Sequence, residues 1–214
     1  FVLYPLTELL VRAFSDDGRF TLEPLLSSLA DAGHRAAFVN SLVLATTVGV
    51  LGTALGLLFA LTATRSGLGR RWLTALDAAA LLPLVSPPFT TSIAIIFSFG
   101  PKGFISHHLL GLDNVSAYGF WSTALAETLT YFPIAYLTLR PILAAIDPNL
   151  EEMAFSLGGS RGRIFRTVTL PLCVPGFANA FLLLFAASLA DFATPLILAG
   201  NSFAVLPTQA YLQI

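Results

Sequence analysis

Long apolar stretches separated by short polar ones dominate the chain, and no stretch alternates apolar and polar positions over the length of a membrane strand. A helix needs about 20 mostly apolar residues to cross the hydrocarbon core of a bilayer. Four segments meet that length: Phe38 to Thr64, Trp72 to Phe99, Tyr118 to Leu139 and Pro171 to Ala199. The first carries no charge; the others hold Asp77, Glu127 and Asp191. Pro83, Pro87, Pro88, Pro133 and Pro195 fall inside these segments, where neighbouring helices can satisfy the backbone carbonyls that a proline frees. The opening stretch, Phe1 to Phe14, is mostly apolar but contains Glu8 and Arg12 and lacks the cleavage site of a signal peptide. It reads as the partial end of a further span, and the sequence as a piece of a longer membrane chain.

Composition agrees. Hydrophobic residues make up 56% of the 214 positions and charged residues 11%, against roughly a quarter charged in soluble domains. The pattern predicts an all-α, polytopic membrane bundle, a single domain over 1–214. A net charge of −1 excludes a basic nucleic-acid binder. The one cysteine, Cys173, supports neither a disulfide framework nor a cysteine metal site. Seven arginines lie in the loops at 65–71 and 140–170, against four basic residues (Arg12, Arg19, Arg35, Lys102) on the other side. The positive-inside rule therefore places the arginine-rich loops in the cytoplasm. Acidic residues lean the other way (Asp16, Asp17, Glu23, Asp31, Asp113).

The segment 140–170 is too patterned for a plain connector. Asp147-Pro148 is a helix-start pair, an N-cap acceptor followed by a residue whose missing N–H costs nothing there. Leu150, Met153, Ala154 and Leu157 then recur at helical spacing, with Glu151 and Glu152 in the first turns, where they complement the macrodipole. Gly158-Gly159 supplies the stop, and Ser160 is placed to cap a second short helix with Arg161, Arg163 and Arg166 on it. The expected element is a helical hairpin with an apolar stripe suited to a groove on another protein.

Glu152-Met153-Ala154, three residues, Gly158, nine residues, then Val168-Thr169-Leu170-Pro171 resembles the cytoplasmic signature of permease subunits from binding-protein-dependent ATP-binding-cassette importers. That signature reads Glu-Ala-Ala, three residues, Gly, nine residues, Ile-x-Leu-Pro; Met153 and Val168 depart from it conservatively. The resemblance implies the MetI-like permease fold in a bacterial inner membrane. It implies a coupling helix that docks on a cytoplasmic ATPase, with Glu151, Glu152, Ala154 and Gly158 in the docking turn and Leu170 and Pro171 leading into the membrane. It also implies an external substrate-binding protein meeting the loops at 15–37 and 100–117, and a second permease copy or a fused homologous half. ATP and Mg would belong to the partner, because the only lysine, Lys102, sits between Pro101 and Gly103 and not in a phosphate-binding loop.

Ionisable groups within spans are costly and count first as functional candidates. Ser188-Leu189-Ala190-Asp191-Phe192-Ala193-Thr194-Pro195 resembles the Asp-Phe-Gly-Thr-Pro segment of ferric-iron permeases, with Ala193 in place of glycine. Asp191 and Thr194, with Glu127, are the candidates to line a cation path. Two structural alternatives stand beside that: Asp191 capping a broken half-helix, and Glu127 bonding a neighbouring helix. Asp77 reads as a solvated charge near Arg70 and Arg71, Asn179 as an interhelical hydrogen bond, and Gly49, Gly52, Thr53 and Gly56 as a close-packing face. His34, His107 and His108 do not converge as metal ligands require, so no metal site is expected. Ferric iron is the first cargo implied, with 2-aminoethylphosphonate, polyamine, thiamine and oxyanions as alternatives. An ion-coupled secondary transporter and an intramembrane enzyme using Asp191 and Glu127 are readings from other classes.

Overall fold

The computed structural model describes residues 3–16, 19–112, 116–200 and 203–212. Asp17, Asp113 and Asn201 lie outside the described residues, and Arg12, Asp16 and Arg19 are described in their backbone alone. The described chain is helical apart from one two-residue antiparallel ladder, β1 (Ser15–Asp16) with β2 (Arg19–Phe20). Before the ladder runs α1 (Leu3–Phe14), and after it α2 (Glu23–Ala30). The described residues of 15–37 are therefore mostly in paired strands and helices, not an open loop.

Helix α3 (Ala32–Arg65) is 34 residues long, about 50 Å at 1.5 Å per residue. It begins six residues before the apolar run because Asp31 caps it, its Oδ1 accepting the His34 N–H at 2.9 Å. That N–H bond holds the Asp31 carboxyl below its ordinary range. The His34 ring lies 3.7 Å from the same oxygen, so the histidine does not stand alone.

The predicted span 72–99 is broken. Helix α4 (Arg70–Val85) and helix α5 (Pro88–Phe99) meet at Ser86-Pro87, and the helical axes before and after the break diverge by 106°. Pro87 disfavours the helical conformation in the residue before it, and Ser86 is extended (φ −80°, ψ 140°). Beyond α5, a short π-helical turn at Phe104–Leu109 occupies what the sequence leaves as loop.

Helix α6 (Phe120–Ala145) runs through Pro133 and Pro141 and ends six residues later than predicted. The hairpin follows as α7 (Pro148–Ser156) and α8 (Arg161–Ile164). A π-helical turn at Phe165–Thr169 then joins α8 to α9 (Leu170–Ala190). Arg161 to Ala190 is thus one 30-residue rod, where the sequence suggests a short helix and a separate span. The rod stops at Asp191, earlier than the predicted Ala199, and α10 (Ala193–Leu198) starts anew. Pro195 favours the stop, since its ring crowds the carbonyl four residues back, that of Asp191, and offers it no N–H, although α6 passes through Pro133 and Pro141 without one. A last helix, α11 (Leu206–Leu212), packs on α3.

Helices α3, α6 and α9 form the centre, with α4, α5 and α10 against α6. The glycine face of α3 lets the three approach. A Cβ on Gly56 would sit 2.5 Å from the Ala135 Cβ, and one on Gly49 would sit 2.7 Å from the Phe181 ring. Tyr136, Leu139, Leu143, Cys173 and Leu184 fill the core between them. Large apolar side chains instead face outward along the spans, among them Val43, Val50 and Leu58 on α3 and Leu182 and Leu183 on α9. Among the described residues, α3 and the Arg161–Ala190 rod are long and apolar enough to cross a membrane unbroken, and two bent pairs qualify as broken spans.

Candidate functional site

The hairpin is assembled by local rules at its tip. Asp147 Oδ1 accepts the Asn149 N–H at 2.9 Å, capping α7 one residue before Pro148. At the other end the Gly158 N–H bonds the Phe155 carbonyl at 2.9 Å, and the Gly159 N–H bonds the Ala154 carbonyl at 3.0 Å. These two bonds close a helix whose C′ residue is left-handed, and Gly158 has φ +83°. Nothing lies within 4 Å of a Cβ built there, so backbone conformation and not space selects glycine. Ser160 takes the extended N-cap conformation, but its side chain makes no capping bond, contrary to the sequence expectation.

The two faces of α7 differ. Leu150, Met153 and Leu157 are exposed, Leu157 at 88%, and Glu152 stands among them. Asn149, Glu152, Met153, Ser156 and Leu157 line a shallow depression. Ala154 is half-buried. Glu151 turns the opposite way: its Oε1 accepts from Arg65 Nη2 and from Thr169 Oγ1, each at 3.0 Å. The sequence pattern places Glu151 with the outward residues and gives no sign that Arg65 and Thr169 are its partners. Leu170 and Pro171 lie inside the continuous rod just past its π turn, where the Leu170 N–H reaches back to the Phe165 carbonyl.

A second ion pair braces the same end. Arg140 Nη1 lies 2.5 Å from Asp77 Oδ1, and the buried Tyr136 hydroxyl donates to that oxygen. Asp77 is therefore a link between α4 and α6, not a solvated charge beside Arg70 and Arg71. Arg65, Asp77, Arg140 and the hairpin all gather at one end of the bundle, the end that the arginine count assigns to the cytoplasm.

The candidate path residues gather in the other half. Glu127 is wholly buried and accepts from the Ser188 hydroxyl through Oε2. Asp191, 7% exposed, accepts from the Tyr131 hydroxyl at 3.0 Å through Oδ2 and from the Thr194 N–H at 3.2 Å through Oδ1. Glu127 and Tyr131 are one turn apart on α6, and Ser188 and Asp191 lie at the end of α9. The structure thus brings the two carboxylates to one helix junction. Both structural alternatives for them are realised, since Asp191 holds the start of α10 and Glu127 bonds α9. Two buried oxygens at this junction, Glu127 Oε1 and Thr194 Oγ1, have no hydrogen-bond partner among the described residues. Asn179 is exposed on α9 and makes no interhelical bond among the described residues; Asn40 on α3 instead donates to the Ala204 carbonyl in the segment before α11, at 2.9 Å. No group of three or more metal-ligating side chains occurs among the described residues.

A family model described as "Binding-protein-dependent transport system inner membrane component" matches residues 52–214. The chain is 34% identical, over its whole length, to a putative ferric transport system permease protein FbpB 1 of Haemophilus influenzae, of which it spans 34%. It is equally 34% identical to a ferric transport system permease protein FbpB of Actinobacillus pleuropneumoniae, spanning 31% of it. The chain therefore covers about a third of these ferric relatives. A molybdenum transport system permease protein ModB of Mycobacterium tuberculosis is 32% identical over the whole chain and 78% of its own length. Among solved structures, a bacterial ABC transporter involved in alginate import superposes with a TM-score of 0.80 at 18% identity, covering 99% of this chain and 77% of the other. The fold is shared with that permease, and with the match to residues 52–214 the chain belongs to the family of binding-protein-dependent transport system inner membrane components.

Proposed function

We propose that the chain forms the permease part of an ATP-driven importer, set in a bacterial inner membrane and driven by a separate cytoplasmic ATPase that carries the ATP and Mg. The observation that carries this reading is the hairpin. Its first arm presents Leu150, Met153 and Leu157 to solvent, and its second arm is continuous with a membrane-crossing helix. Exposed apolar side chains at a helix tip are costly unless a partner groove covers them. On this reading Glu152, Ala154 and Gly158 form the docking turn, and Leu170-Pro171 carry its movement inward. An external binding protein delivers the solute. A second permease copy or a fused homologous half completes the path. The exposed Asn179, mid-way along α9, supports that neighbour, since an amide against lipid tails lacks a partner.

The cargo reading is ferric iron. Glu127 and Asp191 are both carboxylates, and neither Lys nor Arg occurs between Lys102 and Arg140 or after Arg166. Around the buried acids of α6 and α9 the charged groups are acidic, with Arg140 confined to the hairpin end of α6, and this favours a cation over an oxyanion. Glu127, Asp191 and Thr194 are the path residues of this reading. The molybdenum relatives favour the oxyanion alternative, because the chain spans most of their length. Uptake by the complete transporter in proteoliposomes, supplied with labelled ferric iron or molybdate on its cognate binding protein, tests both. Iron uptake that requires ATP inside supports the reading. Molybdate uptake replaces the cargo, and uptake without the ATPase rejects the importer itself.

A further inference from the structure

We infer that Glu151 is the positioning residue that sets the angle of the docking arm against the bundle, so that movement of α7 is passed to α3 and α6 as well as to α9. The inference rests on the importer reading and deepens it. The second arm of the hairpin needs no such device, because Arg161 to Ala190 is one rod. The first arm does. Helix α7 ends in the Gly158-Gly159 turn, and Ile146 and Asp147 at its start are both extended. Between these two ends, one carboxylate oxygen of α7 bonds both α3 and the base of α9.

Glu151 Oε1 accepts from the last residue of α3 (Arg65 Nη2, 3.0 Å) and from the base of α9 (Thr169 Oγ1, 3.0 Å). The same Arg65 nitrogen lies 3.4 Å from the Leu143 carbonyl of α6. One oxygen thus joins the docking arm to the three helices at the centre of the fold. Thr169 is buried, and the side chains of Glu151 and Arg65 are 20% and 29% exposed. A pair so shielded is screened less by salt than a surface one. Leu61, Phe155, Ile164 and Phe165 wall the space around the pair, which keeps the carboxylate from turning out to water with Glu152. Adjacent glutamates therefore divide the work: Glu152 faces outward with the docking surface, and Glu151 faces inward to hold it at a fixed pitch.

The test compares Glu151→Gln, Arg65→Gln and the exchanged pair Glu151→Arg with Arg65→Glu, each in the complete transporter in proteoliposomes. Solute imported per ATP hydrolysed is the readout. The two single variants are expected to keep the ATPase bound and hydrolysing while that ratio falls about five- to tenfold, within the usual span of a coupling factor. The exchanged pair is expected to recover it to within about twofold. Wild-type ratios in both single variants, or an exchanged pair no better than either, would overturn the inference. Leu157→Asp separates this from the underlying reading, because it leaves the Glu151 bonds alone. If that variant still binds the ATPase and imports normally, the docking surface itself is misassigned, whatever Glu151 does.

Discussion

Gly158 and Glu151 show how differently two residues of one motif are specified. Gly158 is dictated locally: a left-handed residue must close α7, and the spacing of the loop alone points to it. Replacing it by Leu is expected to cost the turn about 1–2 kcal/mol, the penalty of an L side chain in that conformation. Asn tolerates the same angles and should retain most of the closure. Hydrogen exchange at the α7 amides checks this: faster exchange in Gly158→Leu than in Gly158→Asn is the expected order, and equal rates would refute the backbone account. Glu151 is dictated at long range. Its partner Arg65 lies 86 positions earlier, and nothing near Glu151 in sequence says which way it points. Asp77 carries the same lesson, because its partner Arg140 is 63 positions away and the nearer arginines at 70 and 71 are not used. Tyr131 and Ser188, which hold the two buried acids, escaped notice because tyrosine and serine in a span are ordinary until their neighbours are known.

At the scale of elements, hydropathy located the membrane-crossing segments well and placed their ends poorly. Bilayer thickness imposes a length that any apolar run reveals, so α3, α6 and α9 were legible. The breaks at Ser86-Pro87 and at Asp191 were visible as prolines, but a proline inside a span is compatible with a kink, a bend or a full stop. Only the packing of α5 and α10 against α6 decides. The continuity of α8 with α9 was hidden for the opposite reason: Pro171 looks like a boundary, yet the helix runs on through the π turn before it. That continuity has a measurable consequence. One alanine inserted between Thr167 and Val168 would rotate the hairpin by about 100° around the axis of α9. Import should be abolished while the protein still inserts. Normal import by the insertion variant would mean that the two segments move independently.

For the molecule as a whole, the arginine count, which includes Arg65 and Arg140 beside the hairpin, points to one orientation. A membrane-impermeant maleimide applied to Leu157→Cys, with the ATPase subunit absent, tests it directly, since the native Cys173 is buried. Labelling is expected in inverted vesicles and not in intact cells; the reverse pattern would turn the bundle over. The all-α architecture and the importer family followed from apolar run length and one loop motif. The cargo did not, because Glu127 and Asp191 each have a structural duty that would hold a carboxylate in place with any solute.

The unbroken rod from Arg161 to Ala190 also sets a scale of amplitude. Thirty residues make a beam about 45 Å long, and α3 and α6 pack against its α9 part, where Gly49 and Gly52 meet Phe181 and Leu184 and Gly176 meets Ile142. Pivoting that beam by about 5° at the hairpin would sweep its far tip sideways by about 4 Å, more than the width of one water molecule. The tip is Ala190, next to the carboxylate that Tyr131 and the first turn of α10 hold. A small swing at the hairpin is therefore large on the scale of the hydrogen bonds that Asp191 makes at the other end of the rod.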